Sequence, residues 1–259
     1  MNLGITTIRK PDGHVLSLAK AKSKEWAIPY FKRDGLLLEM AVKNGREGFL
    51  IYGHQLPSFW TKESVYKFHL GTSVLRIKRL QEGKSDRLCR LLPRDCSSVL
   101  DCTFGHGGDS TVFSFYLGSR GKVVSLEKSL PIYEIGKSGI ESFADKDEKI
   151  TEALRRIQLV HVDFHDYLSE ERRSKQFDVV YFDTMFKHPV KRLENQTEGF
   201  RRAACYDELT ENILRKAVGV AGKRVIVKER PFSKIFKLGI FNKIYSKKGQ
   251  STAYGVIDV

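Results

Sequence analysis

The chain is poor in the residues that fasten small secreted or metal-held domains. It has four cysteines in 259 residues, Cys89, Cys96, Cys102 and Cys205, and no two form a C-x-x-C pair. A disulfide framework and a zinc ribbon are both excluded by that count and spacing. His106, His161 and His165 match no zinc spacing either, so no metal is expected. No apolar run reaches the ~18–20 residues of a membrane span. The opening MNLGITTIRK lacks the apolar core of a secretion signal, and a cytoplasmic location is the resulting expectation. Acidic residues are also in deficit: 31 Asp and Glu face 45 Lys and Arg, a net charge of +14. A chain this basic is expected to meet a polyanion, with nucleic acid the leading candidate and a solvated basic surface the alternative. The basic groups are spread out: Arg76, Lys78 and Arg79; Lys187, Lys191 and Arg192, followed by Arg201 and Arg202; Lys223, Arg224, Lys228 and Arg230; Lys243, Lys247 and Lys248. A disordered basic arm is therefore not expected.

The hydrophobic pattern divides the chain at Pro93. Residues 1–92 read as a small α/β domain. Strands are expected at Ile5–Ile8, Gly48–Tyr52 and Val65–Phe68, with helices at His14–Ala27 and Leu36–Val42. Ser73–Leu80 reads as a basic helix or an extended segment. Residues 93–259 alternate strand and helix. Strands fall at Ser98–Cys102, Gly121–Glu127, Ile157–Val162, Phe177–Asp183 and Arg224–Lys228; helices fall at Asp109–Leu117, Pro131–Phe143, His165–Arg173 and Phe200–Val220. Phe241–Ser246 and Thr252–Ile257 flank a turn and read as a closing hairpin. Such alternation predicts an α/β fold with a mostly parallel sheet. Ligands of such sheets bind beyond the carboxyl ends of the strands, where strand order reverses.

Chemistry is accordingly expected just after each strand. The first ends in Asp101-Cys-Thr-Phe-Gly105-His-Gly107-Gly108-Asp109. Its glycines permit a tight turn and close approach of a ligand. A nicotinamide fingerprint would want a further glycine where Ser110 stands. The second strand ends at Glu127, followed by Lys128, where a carboxylate can accept both hydroxyls of a ribose. The third leads to Asp163 and Phe164, able to take an adenine amino group and cover a ring; Phe164 also reads as a core aromatic. The fourth ends in Asp183-Thr184-Met185-Phe186. A carboxylate beside a backbone carbonyl can hold the N–H groups of an exocyclic amine and oppose the positive charge that develops there. Phe186 can stack on a base removed from its own stack.

This set of motifs resembles the class I S-adenosylmethionine (SAM)-dependent methyltransferases. More narrowly it is similar to the bacterial small-subunit ribosomal RNA guanine-N2 methyltransferase J family, in its uncharacterised Gram-positive branch. The resemblance is carried by Phe68-His-Leu-Gly71, Leu75–Leu80, Asp101–Asp109, Tyr181–Phe186 with His188, and Val225–Pro231. It implies a Rossmann-like, seven-stranded, mostly parallel sheet with a C-terminal antiparallel hairpin, beside the N-terminal α/β unit. It implies SAM as cofactor, held by Asp101, Gly105, Gly107, Gly108, Asp109, Glu127, Lys128, Asp163, Phe164 and Asp183. It implies Asp183, Thr184 and Phe186 as the catalytic residues, and a guanine amino group of ribosomal RNA as substrate. The family usually has proline where Thr184 stands and an apolar residue where His106 stands. Competing readings are a methyltransferase acting on a small molecule or protein, and a SAM- or RNA-binding protein without catalysis.

Overall fold

The structure is a computed structural model that describes residues 1–169, 174–184, 209–247 and 249–259. The chain divides into two units. One comprises Met1–His69 and Ser129–Phe143; the described remainder belongs to the other, apart from whatever lies beyond the described residues.

The first unit is built on a four-stranded sheet in the order β1 (Leu3–Thr7), β2 (Gly48–Tyr52), β3 (Ser58–Thr61), β4 (Val65–Lys67). β1 and β2 are parallel; the other pairs are antiparallel. Helix α1 (Gly13–Glu25) starts at Asp12, whose carboxylate accepts the Val15 N–H at 2.8 Å and satisfies one of the open donors of the first turn. Helix α2 (Leu37–Asn44) follows, burying Met40 and Ala41. This unit also claims the later helix Leu130–Ser142, numbered α5 below, with Pro131 in its first turn, where a missing N–H costs nothing. Its Glu134 is 1% exposed. It accepts hydrogen bonds from Lys22 Nζ (3.0 Å), Trp26 Nε1 (3.0 Å) and Tyr52 Oη (2.8 Å). A carboxylate so far from water is tolerable only with such partners.

The second unit contains α3 (Ser73–Gln81), β5 (Ser98–Asp101), α4 (Gly108–Leu117), β6 (Lys122–Glu127), and then, after α5, α6 (Glu148–Arg155), β7 (Ile157–His161) and α7 (Phe164–Tyr167). It continues with β8 (Phe177–Asp183), α8 (Glu211–Val220), β9 (Ala221–Glu229), β10 (Lys243–Tyr245) and β11 (Ala253–Asp258). The seven strands lie in the order β10-β11-β9-β8-β5-β6-β7. All neighbours are parallel except the pairs made by β11. Val179, Val180, Tyr181 and Phe182 of β8 are fully buried, as expected of a strand covered on both faces. From β5 the chain runs outward through β6 and β7, then returns to β8 on the other side of β5. The reversal opens a crevice beyond the carboxyl ends of β5 and β8.

The sheet and closing hairpin match the sequence reading, and Ser73–Leu80 resolves as helix. Two elements went unread: β3 and α6. Of the expected helices His165–Arg173 and Phe200–Val220, the described parts are helical at Phe164–Tyr167 and Glu211–Val220, and residues 170–173 and 200–208 lie outside the described residues. No helix among the described residues is long and apolar enough to cross a membrane.

Candidate functional site

The turn after β5 takes its shape from two glycines. Gly105 and Gly107 have φ of 57° and 74°, the left-handed region that side chains disfavour. A Cβ on Gly107 would also lie 2.6 Å from the Phe104 ring. Gly108, which begins α4, has ordinary angles, and a Cβ there would make normal contacts at 3.7 Å. Buried Asp101 braces the turn, accepting the Thr103 N–H at 3.0 Å and the Ser110 hydroxyl. Burial pushes its pKa up to about 7, against the pull of those donors. Ser110, which replaces a dinucleotide-type glycine, is thus a structural brace; its hydroxyl also meets that of Ser125 at 2.9 Å. From β6, Glu127 accepts the Gly105 N–H at 3.1 Å. His106 sits half-buried within the turn.

Beside the turn lies a cluster of buried charges. Asp109 opens α4 and accepts from Arg76, from Tyr181 Oη at 2.6 Å and from Lys228 Nζ at 3.0 Å. Burial opposes its ionisation, but Lys228 and Arg76 outweigh burial and hold the carboxyl well below the usual range. Lys228, at the end of β9, also donates to Asp183 at 2.7 Å. Among the described residues Lys228 is the cation that pairs with Asp183. Burial raises its pKa to about 6; Lys228 pulls it down and the charge of Asp109 pushes it further up. Its side chain remains 32% exposed, so it is held from behind while one side faces outward. Its N–H donates to Thr103 Oγ1 at 2.7 Å, tying the end of β8 to the glycine turn. Thr184 is nearly buried, and its hydroxyl donates to Glu229 at 3.3 Å.

At the neighbouring strand end, Asp163 caps α7 through the His165 N–H (2.8 Å) and pairs with Lys128 (2.7 Å). Burial works against its charge, but Lys128 and that N–H hold its pKa below the ordinary value. β6 and β7 are in register at Glu127 and His161, which places Glu127 and Asp163 at adjacent strand ends. Phe164 is 6% exposed, stacked on His165 at 4.4 Å and edge-on to Phe182, so its ring packs in the core. Phe186, Lys187, His188, Lys191, Arg192, Arg201 and Arg202 lie outside the described residues. The sequence placed Arg76 and Lys228 among basic groups available to a polyanion. The structure corrects this: Arg76 is paired with Asp109 and Asp86, and Lys228 with Asp109 and Asp183. Lys223 and Arg224 are likewise paired, with Asp178 (3.0 Å) and Asp258 (2.6 Å).

The arrangement fits SAM. A helix N-terminus with Cβ-free backbone suits a carboxylate. Glu127 and Asp163 sit at adjacent strand ends, on the edge of the sheet beyond which ligands of this architecture bind. No group of His, Cys, Asp and Glu among the described residues could hold a metal ion.

Comparison with known proteins agrees. A Bacillus subtilis protein named "Uncharacterized protein YpiP" is 31% identical over 255 residues, 98% of each chain. The "Ribosomal RNA small subunit methyltransferase J" of Desulfotalea psychrophila is 32% identical over 199 residues, 76% of this chain and 70% of that one. Among solved structures, a SAM-dependent methyltransferase from Neisseria gonorrhoeae shares the fold, with a TM-score of 0.63 at 18% identity over 98% of this chain and 95% of that one. Residues 62–252 match the family described as "Putative SAM-dependent methyltransferase". The chain belongs to that family of SAM-dependent methyltransferases, and S-adenosylmethionine is its cofactor.

Proposed function

We propose that the enzyme methylates an exocyclic amine of an RNA base, the N2 of a guanine in ribosomal RNA. The observation that carries this reading is Asp183: an outward-facing carboxylate at a strand end, fixed by Lys228 and Thr103, with a raised pKa. The printed name of the Desulfotalea relative supports a ribosomal RNA substrate.

Bound SAM supplies an electrophilic methyl group on a sulfonium. The chain's own residues do the rest. The Asp101–Asp109 turn and Glu127 hold the donor, with Lys128 and Asp163 beyond them. The Asp183 carboxylate and the Thr184 carbonyl accept the N–H groups of the target amine, orienting its lone pair. Asp183 would receive the proton that the amine gives up on methylation. A carboxylate with a pKa near 6 is better matched to that task than an ordinary one. Phe186 is assigned the stacking of the extruded base. Residues 1–92 are assigned to RNA contact and 93–259 to transfer.

The test is transfer of tritiated methyl from SAM into total bacterial RNA by wild type and Asp183→Ala, with SAM affinity measured in parallel. Wild type is expected to label RNA. The variant is expected to lose activity by roughly 10²–10⁴-fold, the usual worth of a positioned acid–base group, with SAM still bound measurably. Undiminished transfer by the variant would sink the role of Asp183; labelling of protein or small molecules alone would sink the RNA substrate.

A further inference from the structure

The basic residues that the buried cluster does not consume gather elsewhere. A groove of about 510 Å³ runs between the α3 region and the turn of the β10–β11 hairpin. Arg79, Arg87, Arg90 and Lys247 line it, with Tyr245. Its one carboxylate, Asp86, is already held by Arg76 at 2.9 and 3.0 Å. Among the described residues that line the groove, five cations, Arg76 included, therefore face this one carboxylate, and four positive charges are left over. Arg79, Arg90 and Lys247 are exposed. Among the described residues Arg87 is fixed by neutral acceptors: Gln250 Oε1, the Thr252 carbonyl at 3.4 Å and the Tyr245 carbonyl at 3.1 Å. Its guanidinium lies 4.9 Å from the centre of the Tyr254 ring, where its plane is held and its charge is kept. Four like charges concentrated in a concave surface repel one another and focus a positive potential that a polyanion relieves.

We propose that this groove binds the phosphodiester backbone of the substrate RNA. Two observations favour RNA over a small anion. The charges come from two segments far apart in the chain, residues 79–90 and Lys247, and line one groove, where several phosphates of a strand can meet them. And Arg76, on the groove wall, reaches Asp109 in the cluster that also holds Asp183. A strand gripped here passes beside the carboxylate that takes the base. Tyr245, 37% exposed, offers a ring face to an unpaired base. The inference rests on the RNA reading of the methyl-transfer site.

Fluorescence anisotropy with a labelled single-stranded RNA of about sixteen nucleotides, titrated with the full chain, tests it. The triple variant Arg79→Ala/Arg90→Ala/Lys247→Ala is expected to bind at least about tenfold more weakly near physiological salt. Its log–log salt slope should be shallower by about two, three lost phosphate contacts at ~0.7 each. SAM affinity is expected to be unchanged, which reports an intact fold. The charge-keeping triple Arg79→Lys/Arg90→Lys/Lys247→Arg should bind nearly as wild type. RNA binding and salt slope retained by the alanine triple overturn the groove and leave the methylation reading standing. Groove-dependent binding without any methyl incorporation into RNA supports the groove and sinks that reading. Displacement of the RNA by inorganic phosphate, beyond what chloride of equal ionic strength achieves, marks a simple anion site and overturns the assignment.

Discussion

Asp109 and Asp183 share Lys228, and the sharing is unequal. Asp109 has a second cation and a tyrosine hydroxyl, so it keeps its charge; Asp183, which among the described residues pairs with the lysine, titrates high through burial. Two interacting carboxylates divide their protons in this way when one environment is richer in donors. An ionised Asp183 is the form that accepts from the amine. The logarithm of kcat/KM should therefore rise with pH and level off above about 6. Lys228 favours the charged form of Asp183, so Lys228→Met should move that inflection to higher pH. A rate profile flat from pH 5 to 8 would remove Asp183 from proton transfer. Gly105, Gly107, Glu127, Asp163 and Asp183 were legible in the sequence because each closes or follows a strand whose apolar run is local. Arg76 and Lys228 were not. Each reads as one more surface cation until the fold brings it to a buried acid, 33 and 119 residues away respectively.

At the scale of the element, the glycine turn makes a sharp distinction between adjacent positions. Gly107→Ala places a side chain at φ 74° and against Phe104. The left-handed conformation alone costs about 1–2 kcal/mol, and the clash adds to it. A lower urea midpoint and weaker SAM binding are expected. Gly108→Ala meets only ordinary contacts and should shift stability by no more than about 1 kcal/mol, in the favourable direction within a helix. Equal effects at the two positions would contradict the geometry of the turn. The strands β2 and β8 fall where the sequence put them because each holds a run of four apolar residues, 49–52 and 179–182. β3 has four residues directly after Pro57 and is too short for a period to register. α6 is short and begins in the charged run Asp145-Lys-Asp-Glu-Lys149, which reads as loop. Its signals were Asp147, which caps Lys149 N–H at 3.0 Å, and the buried face Ile150, Ala153 and Leu154.

For the whole molecule, the largest departure from a linear reading is that α5 is claimed by the N-terminal unit, where Glu134 meets Lys22, Trp26 and Tyr52. Nothing in a hydrophobic period announces a buried glutamate with three distant donors. Removing one partner of a buried ion pair leaves the other uncompensated, at a cost of about 3–5 kcal/mol. Glu134→Ala should accordingly lose hydrogen-exchange protection in α1 and β2; unchanged protection there would mean the network is not holding the unit. The net charge of +14 also resolves into parts: some cations are neutralised inside, others are left over in the groove. The hairpin that supplies one wall of that groove has a further consequence. β10 is the last strand of its sheet among those described, and a bare sheet edge invites another chain to add to it. This edge is three residues long, exposed at each of them, begins with Lys243 and is followed by Lys247. Short length and lysine are two of the means by which proteins keep such edges from pairing. The charge gathered at the hairpin thus also guards this edge against pairing with another chain.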